Sequence, residues 1–283
     1  MKLQRATRKP ARIRIPFSST PNRLPQIEVS VGDKTTALLL RHMEALTAAD
    51  IDKLREFGGQ HRVSWCLQSK GPETIHPLDP DDADKLAYSL PEFGLRMQYR
   101  PADFTQVNDA INRTLISRAL TLLEPQATDR VADLFCGLGN FSLPLATRAR
   151  EVVGLEGSKT LTERARAGAE HNGLASRVRF ATLNLFEVDV QWLRDLGHFE
   201  RILIDPPRDG AEAVARALAA LTLPERPRKI VYVSCNPATL ARDAGILVPE
   251  WGYRLQAAGV INMFPHTSHV ESMAVFDLND AAD

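Results

Sequence analysis

The pattern of apolar and polar positions changes character near residue 100. Before it, short strand-like runs dominate. Residues 27–31 alternate, 36–41 form a compact apolar run, and 63–68 and 95–99 are rich in β-formers. One helix is predicted over 48–57, with Thr47 as N-cap and Gly58-Gly59 as its stop. Residues 71–84, rich in Pro and Asp, are expected to form a loop. Residues 26–100 are therefore expected to make a small α+β unit with antiparallel character and no catalytic constellation.

From Asp109 onward helices and strands alternate. Helical spacing runs over 110–123, followed by a short buried strand at 131–135. A helix is predicted over 141–150, with Asn140 as N-cap and Pro144 in the first turn, where its missing N–H costs least. Next come strand 152–156, helix 161–172 closed by Gly173, strands 178–184 and 201–205, helix 211–221, strand 229–234 and helix 238–248. Strands 255–263 and 272–278 end the chain. Repeated βα alternation predicts a parallel sheet with helices on both faces over residues 101–283. The last two strands leave no room for a helix between them, so an antiparallel pair is expected at one side of the sheet.

Composition adds limits. Hydrophobic residues make up 44% and charged residues 25%, as in ordinary globular chains. No apolar run approaches the roughly 20 residues that cross a bilayer, and no signal-peptide core follows Met1, so neither a membrane nor a secretory route is expected. Three cysteines without a C-x-x-C pair suit a reducing, cytoplasmic setting. Net charge is zero, yet residues 1–27 carry Lys2, Arg5, Arg8, Lys9, Arg12, Arg14 and Arg23 and no acid. This arm, whose residues 1–25 precede the first strand, suits a polyanion, because neutralised phosphates release counterions. A solvated tail and a targeting peptide are the other readings, and Pro10, Pro16 and Pro21 oppose a continuous amphipathic helix.

The chemistry gathers at predicted strand ends. Asp133-Leu-Phe-Cys-Gly137-Leu-Gly139-Asn140 leaves the first strand of the second region and opens a helix, where glycines let backbone approach a ligand. Glu156 ends the next strand, near the spacing of about 20 residues expected for an acid on ribose hydroxyls. Spacing alone leaves NAD open, but Ser142 stands where a dinucleotide turn wants a third glycine. Asn184 and Asp205 fall at further strand ends. Either could contact a ligand; Asn184 could equally hold a turn, and Asp205 could cap the rigid Pro206-Pro207.

Cys235, in Ser234-Cys235-Asn236-Pro237, precedes a helix N-terminus, which favours the thiolate over the free thiol of pKa about 8.5. It is the best nucleophile candidate. Cys136 is expected to pack beside the glycine turn, and Cys66 to be a buried hydrophobe. His266, His269 and Glu271 follow in one loop. Without i,i+4 spacing or a fourth ligand they predict no metal, and a base with supporting groups fits them better. A methyl donor, a thiolate and a carboxylate in one cleft suit C5 of a pyrimidine: thiolate addition at C6 turns C5 into a nucleophile, and a base then removes its proton.

The segments Asp103-Phe-Thr-Gln-Val-Asn108, Asp133 to Phe141, Asp205-Pro-Pro-Arg208, Ser234-Cys-Asn-Pro237 and Phe264 to Met273 resemble, in order, the motifs of the RNA uracil-C5 methyltransferases. The last segment looks most like the branch acting on 23S ribosomal RNA, rather than tRNA. The resemblance implies a Rossmann-like class I methyltransferase domain, with a mostly parallel seven-stranded sheet and a terminal antiparallel pair. It implies S-adenosylmethionine bound by Gln106, Phe135, Gly137, Asn140, Glu156, Asn184 and Asp205. It also implies Cys235 as nucleophile, Glu271 as base, and a target uracil flipped from its stack and touched by Gln106 and Asp205. Family members typically begin with a β-barrel RNA-binding domain and cysteines that hold a [4Fe–4S] cluster. Neither is found here, so no cluster is expected in this chain, and no obligate protein partner is evident. Methylation of cytosine or of a small molecule, or a cofactor-binding RNA module without catalysis, are the competing readings.

Overall fold

The structure, a computed structural model, describes residues 23–248 and 252–279. Most of the basic arm lies outside the described residues. The described residues fall into two compact units that interleave in sequence. One comprises residues up to Ala87 together with Gln98–Asp103, and the other Tyr88–Met97 together with everything from Phe104.

In the first unit, β1 (Gln26–Val31), β2 (Thr36–Arg41), β3 (Val63–Gln68) and β4 (His76–Pro77) form one sheet in chain order. Its character is mixed rather than antiparallel. β1 and β2 are antiparallel, but α1 (Ala48–His61) carries the chain across so that β3 runs parallel to β2. Thr47 caps α1 as expected, in a reciprocal capping box with Asp50. The expected stop at Gly58-Gly59 does not occur; the helix continues to His61, and Arg62 closes it at φ 56°. Gly58 has another task. A Cβ there would lie 2.9 Å from the Val63 carbonyl oxygen, so the glycine lets the helix approach β3. Leu40, Leu54, Trp65 and Leu67 form the core. The segment 71–84 is not all loop, since β4 pairs with β3 inside it. A strand not foreseen, β5 (Ala87–Leu90), pairs with β6 (Leu95–Gln98) in a hairpin. Only four residues long and stopped by Pro91, β5 gives too short an alternation to read.

The second unit has α2 (Asp109–Leu123), β7 (Arg130–Leu134), α3 (Ser142–Ala146), β8 (Glu151–Glu156), α4 (Lys159–His171), β9 (Val178–Thr182) and α5 (Val190–Leu196). It continues with β10 (Arg201–Ile204), α6 (Glu212–Ala219), β11 (Lys229–Ser234), α7 (Pro237–Leu247), β12 (Tyr253–Ile261) and β13 (Glu271–Leu278). Its seven strands lie in the order β12-β13-β11-β10-β7-β8-β9. From β11 to β9 all pairings are parallel, and β13 is antiparallel to both β11 and β12. This is the expected Rossmann-like sheet, with helices packed on both faces. The final strand, not the penultimate one, inserts next to β11. The central strands are mostly apolar, as burial on both faces requires, and Val131, Leu134, Leu203, Ile230 and Tyr232 are fully buried.

From β7 the chain winds outward to β9, returns to β10, and winds the other way. Strand order therefore reverses between β7 and β10, and ligands of such sheets bind outside the carboxyl ends at that switch point. Residues 133–140 and 205–208 leave the sheet there.

Candidate active site

A cleft of 510 Å³ lies at these carboxyl ends. It is lined by all nine residues singled out from the sequence: Gln106, Phe135, Gly137, Asn140, Glu156, Asn184, Asp205, Cys235 and Glu271.

The glycine turn is held by its neighbours rather than by a long helix. Phe135, at φ 64°, turns the chain out of β7 in a left-handed conformation that a bulky side chain rarely adopts, and Gly137 and Gly139 follow at φ 54° and 86°. The Gly137 N–H donates to Glu156 Oε2 at 3.2 Å, and Ser158 N–H donates to Glu156 Oε1 at 2.9 Å. Glu156 thus ties the turn to the end of β8 and keeps acceptor capacity toward the cleft. Gly154 lets Phe180 and Cys136 close beneath the turn: a Cβ there would lie 2.5 Å from the Phe180 ring and 3.0 Å from Cys136 Sγ. Cys136 is buried, and burial holds its thiol well above the ordinary range, so it packs as expected.

Two expectations for this turn are corrected. The helix over 141–150 is only the five residues of α3, with Phe141 at its N-cap position and no side-chain cap. Asn140 does not cap it, because its carboxamide faces away to other partners. Tyr88 Oη donates to Asn140 Oδ1 at 2.8 Å, Asn112 Nδ2 donates to the same oxygen at 3.1 Å, and Asn140 Nδ2 donates to Asn112 Oδ1 at 3.0 Å. Neither Tyr88 nor Asn112 was legible as a site residue, since nothing in spacing links the hairpin, α2 and the turn.

Asp133 sits fully buried in β7, accepting from Ser142 Oγ at 2.5 Å. Its Oδ1 has no partner, and burial pushes its pKa up to about 7. Gln106 likewise has a buried, unpartnered Oε1. An unsatisfied buried acceptor is costly, and Gln106, which lines the cleft, points to a donor supplied by a ligand.

Asn184 lies two residues beyond β9. It holds a turn by accepting from Phe186 N–H at 3.2 Å, while its side chain still lines the cleft. That turn presents Phe186, which sequence reasoning missed. Its ring meets the Phe135 ring at 5.5 Å between centroids, forming an aromatic edge to the cleft.

On the opposite wall, the register of β11 with β13 pairs Ser234 with Ser272, and Ser272 Oγ donates to the Ser234 carbonyl at 3.0 Å. The next residue on each side is Cys235 and Glu271, which the pairing therefore brings together at the rim. Glu271 is buried, which raises its pKa. Asp205 follows β10 and is pushed up to about 8, first by burial and then by the nearby Glu271 and Asp133 carboxylates. Cys235 is half-buried. Contrary to the helix-start expectation, its thiol is raised. Desolvation leads, Glu271 and Asp205 add to it, and Arg208 opposes. Asn236 caps α7 by accepting from Ala238 N–H, and its Nδ2 donates to the Arg208 carbonyl, fixing the 205–208 turn beside Cys235. His266 and His269 are exposed and stand apart from buried Glu271. His269 Nδ1 accepts from Arg208 at 3.1 Å.

The sequence profile described as tRNA (Uracil-5-)-methyltransferase matches residues 80–278. The chain is 69% identical over 268 residues to the 23S rRNA (uracil(1939)-C(5))-methyltransferase RlmD of Bordetella avium, covering 95% of this chain and 56% of that protein. It is 66% identical over 273 residues to the protein of the same description from Bordetella pertussis, covering 96% and 59%. The chain thus spans little more than half the length of these curated relatives. Among solved structures, the Pyrococcus abyssi tRNA (uracil-54, C5)-methyltransferase in complex with S-adenosyl-L-homocysteine superposes with a TM-score of 0.67 at 24% identity, covering 88% of this chain and 59% of that one. The Methanocaldococcus jannaschii tRNA m1G37 methyltransferase superposes at 0.55 and 13% identity, covering 91% and 76%. Both likenesses show the class I methyltransferase fold.

Proposed function

The chain belongs to the tRNA (uracil-5-)-methyltransferase family, and on that footing we propose that it methylates C5 of a uracil in RNA, with 23S ribosomal RNA in the bacterial cytoplasm as its substrate. The observation that carries this is the β11–β13 register, which joins a cysteine and a buried carboxylate at the cleft that also holds the glycine turn. The names of the Bordetella relatives favour the ribosomal substrate over tRNA. The domain at 101–283 would carry the chemistry, and the unit at 26–100 and the basic arm at 1–25 would add RNA contacts.

The cleft fits S-adenosylmethionine. Its volume suits a nucleoside with an amino-acid tail. Glu156 offers acceptors for two ribose hydroxyls, the Phe135–Phe186 edge offers a face for adenine with Asn184 beside it, and the buried Gln106 Oε1 awaits a donor. Gly137, Asn140 and Asp205 complete the wall. When bound, this cofactor supplies a methyl group on a positively charged sulfur.

The chain's own residues do the rest. Cys235 Sγ, as thiolate, bonds to C6 of the uracil, and the C5–C6 π electrons move onto C5 and the O4 carbonyl. Once C5 is methylated, Glu271 takes the C5 proton. The C6–S bond breaks, the C5–C6 double bond reforms, and the sulfur leaves as thiolate. Arg208 is the charge that favours the thiolate, against burial and the Glu271 and Asp205 carboxylates.

RNA bearing 5-fluorouridine at the target tests the reading, because fluorine cannot leave as a proton. Incubation with S-adenosylmethionine should give a stable protein–RNA adduct that migrates slowly on a denaturing gel. Absence of an adduct with the wild-type chain and with its full-length relative overturns the mechanism.

A further inference from the structure

The Asn140 side chain, in the glycine turn, is bonded to distant parts of the same unit. Its Oδ1 accepts from Tyr88 Oη and Asn112 Nδ2, which uses both lone pairs. Its Nδ2 donates one hydrogen to Asn112 Oδ1. The two carboxamides thus clasp each other through a reciprocal pair of bonds, with the tyrosine hydroxyl as a third point. Asn112 is almost wholly buried on α2, and Tyr88 is buried on the β5–β6 hairpin while also lining the cleft.

A carboxamide can rotate by half a turn and exchange donor for acceptor at little steric cost. Asn140 can make that exchange only if Asn112 turns with it and the tyrosine hydroxyl accepts instead of donating, so the three groups orient as one unit. In the arrangement present both oxygen lone pairs are taken, and one Asn140 N–H is left for a ligand.

We propose that Asn112 and Tyr88 are positioning residues for the cofactor. They hold the Asn140 carboxamide in place so that its remaining N–H meets an acceptor on the amino-acid or ribose portion of S-adenosylmethionine, and so set the affinity of the glycine turn. This rests on the cofactor reading given above. Neither residue needs to touch the cofactor for the effect. Their influence passes through the orientation of one amide.

Asn112→Asp separates this role from mere packing, because it is isosteric. An ionised carboxylate accepts from Asn140 Nδ2 but offers no donor to Oδ1, so two acceptors face each other and the clasp opens. A protonated carboxyl restores the missing donor. Titration calorimetry with S-adenosylhomocysteine reads the result. At pH 8 Asn112→Asp should bind about tenfold or more weakly than wild type, the scale set by a lost hydrogen bond plus a misoriented group. The deficit should shrink as pH is lowered toward 5, while Asn112→Ala keeps a constant deficit. Tyr88→Phe should cost a few-fold. Wild-type affinity for Asn112→Asp at pH 8, or a deficit unchanged by pH in a variant that melts cooperatively, overturns the proposal. Glu156→Ala tests the cofactor reading separately. If wild type itself binds no S-adenosylhomocysteine, that reading falls and the positioning role with it. If Glu156→Ala loses binding while Asn112→Asp does not, the positioning role alone falls.

Discussion

Ser272 Oγ donates to the Ser234 carbonyl, and this bond between β13 and β11 sets Cys235 beside Glu271. Two residues 36 positions apart in sequence become neighbours through strand register, which a slip of one residue would undo by turning every side chain to the other face. Cys235→Ala should abolish both turnover and the 5-fluorouridine adduct. Glu271→Gln should still form the adduct with ordinary uracil and release product at least 100-fold more slowly, in line with loss of a general base. Single-turnover assays with labelled methyl donor check both; equal behaviour of the two variants would remove Glu271 as the base.

The thiol of Cys235 is raised partly by Glu271 and Asp205. Removing either negative charge favours the thiolate, so Glu271→Gln should move the alkylation of Cys235 by iodoacetamide to lower pH and speed it several-fold at pH 8. Peptide mass mapping distinguishes Cys235 from Cys66, whose burial pushes it up to about 11, and from buried Cys136. An unshifted profile would mean that burial alone sets the thiol.

Asp205 carries a linked stability effect. Its pKa rises from 3.8 unfolded to about 8 folded. The folded state therefore holds the proton more tightly. Below pH 4 the group costs nothing, between about 4 and 8 the cost of ionising it in place grows with pH, and above that the cost is constant. Asp205→Asn should leave the melting temperature near pH 4 unchanged and raise it at pH 8.5 by roughly 2–4 °C or more. A gain that does not grow with pH would refute the assignment.

Gly154→Ala should destabilise the second unit, since the new methyl would meet the Phe180 ring and Cys136 Sγ beneath the glycine turn. Overpacking of this kind costs about 1–3 kcal/mol. Thermal melts measure it, and an unchanged melting temperature would show that Phe180 yields freely.

Phe186→Ala should weaken S-adenosylhomocysteine about fivefold to tenfold by opening the aromatic edge with Phe135, an effect of the size seen for aromatic pairs. Calorimetry on the variant reads it directly; unchanged affinity would place adenine elsewhere in the cleft.

The sequence made the second unit legible because its signals were local and strong. Apolar runs gave the buried strands, the turn Asp133–Asn140 gave the cleft floor, and Asp205 and Cys235 each stood at the end of such a run. Where the reading failed, the deciding contact was distant. Gly58 looked like a helix stop because its close approach to β3 is invisible in a linear pattern. Asn140 looked like an N-cap because its partners, Tyr88 and Asn112, lie 52 and 28 residues away. The thiol of Cys235 looked activated because the helix start was visible, whereas the two carboxylates facing it converge through the sheet.

The hairpin residues Tyr88–Met97 group with the methyltransferase fold although residues on either side of them group with the small unit. The chain therefore offers no single seam for recombination. A chimera spliced once after residue 100 would bring in a foreign hairpin, and a graft that kept only residues 101–283 would leave the glycine turn without its tyrosine. An incoming hairpin without a hydroxyl at the position of Tyr88 would leave Asn140 Oδ1 one bond short.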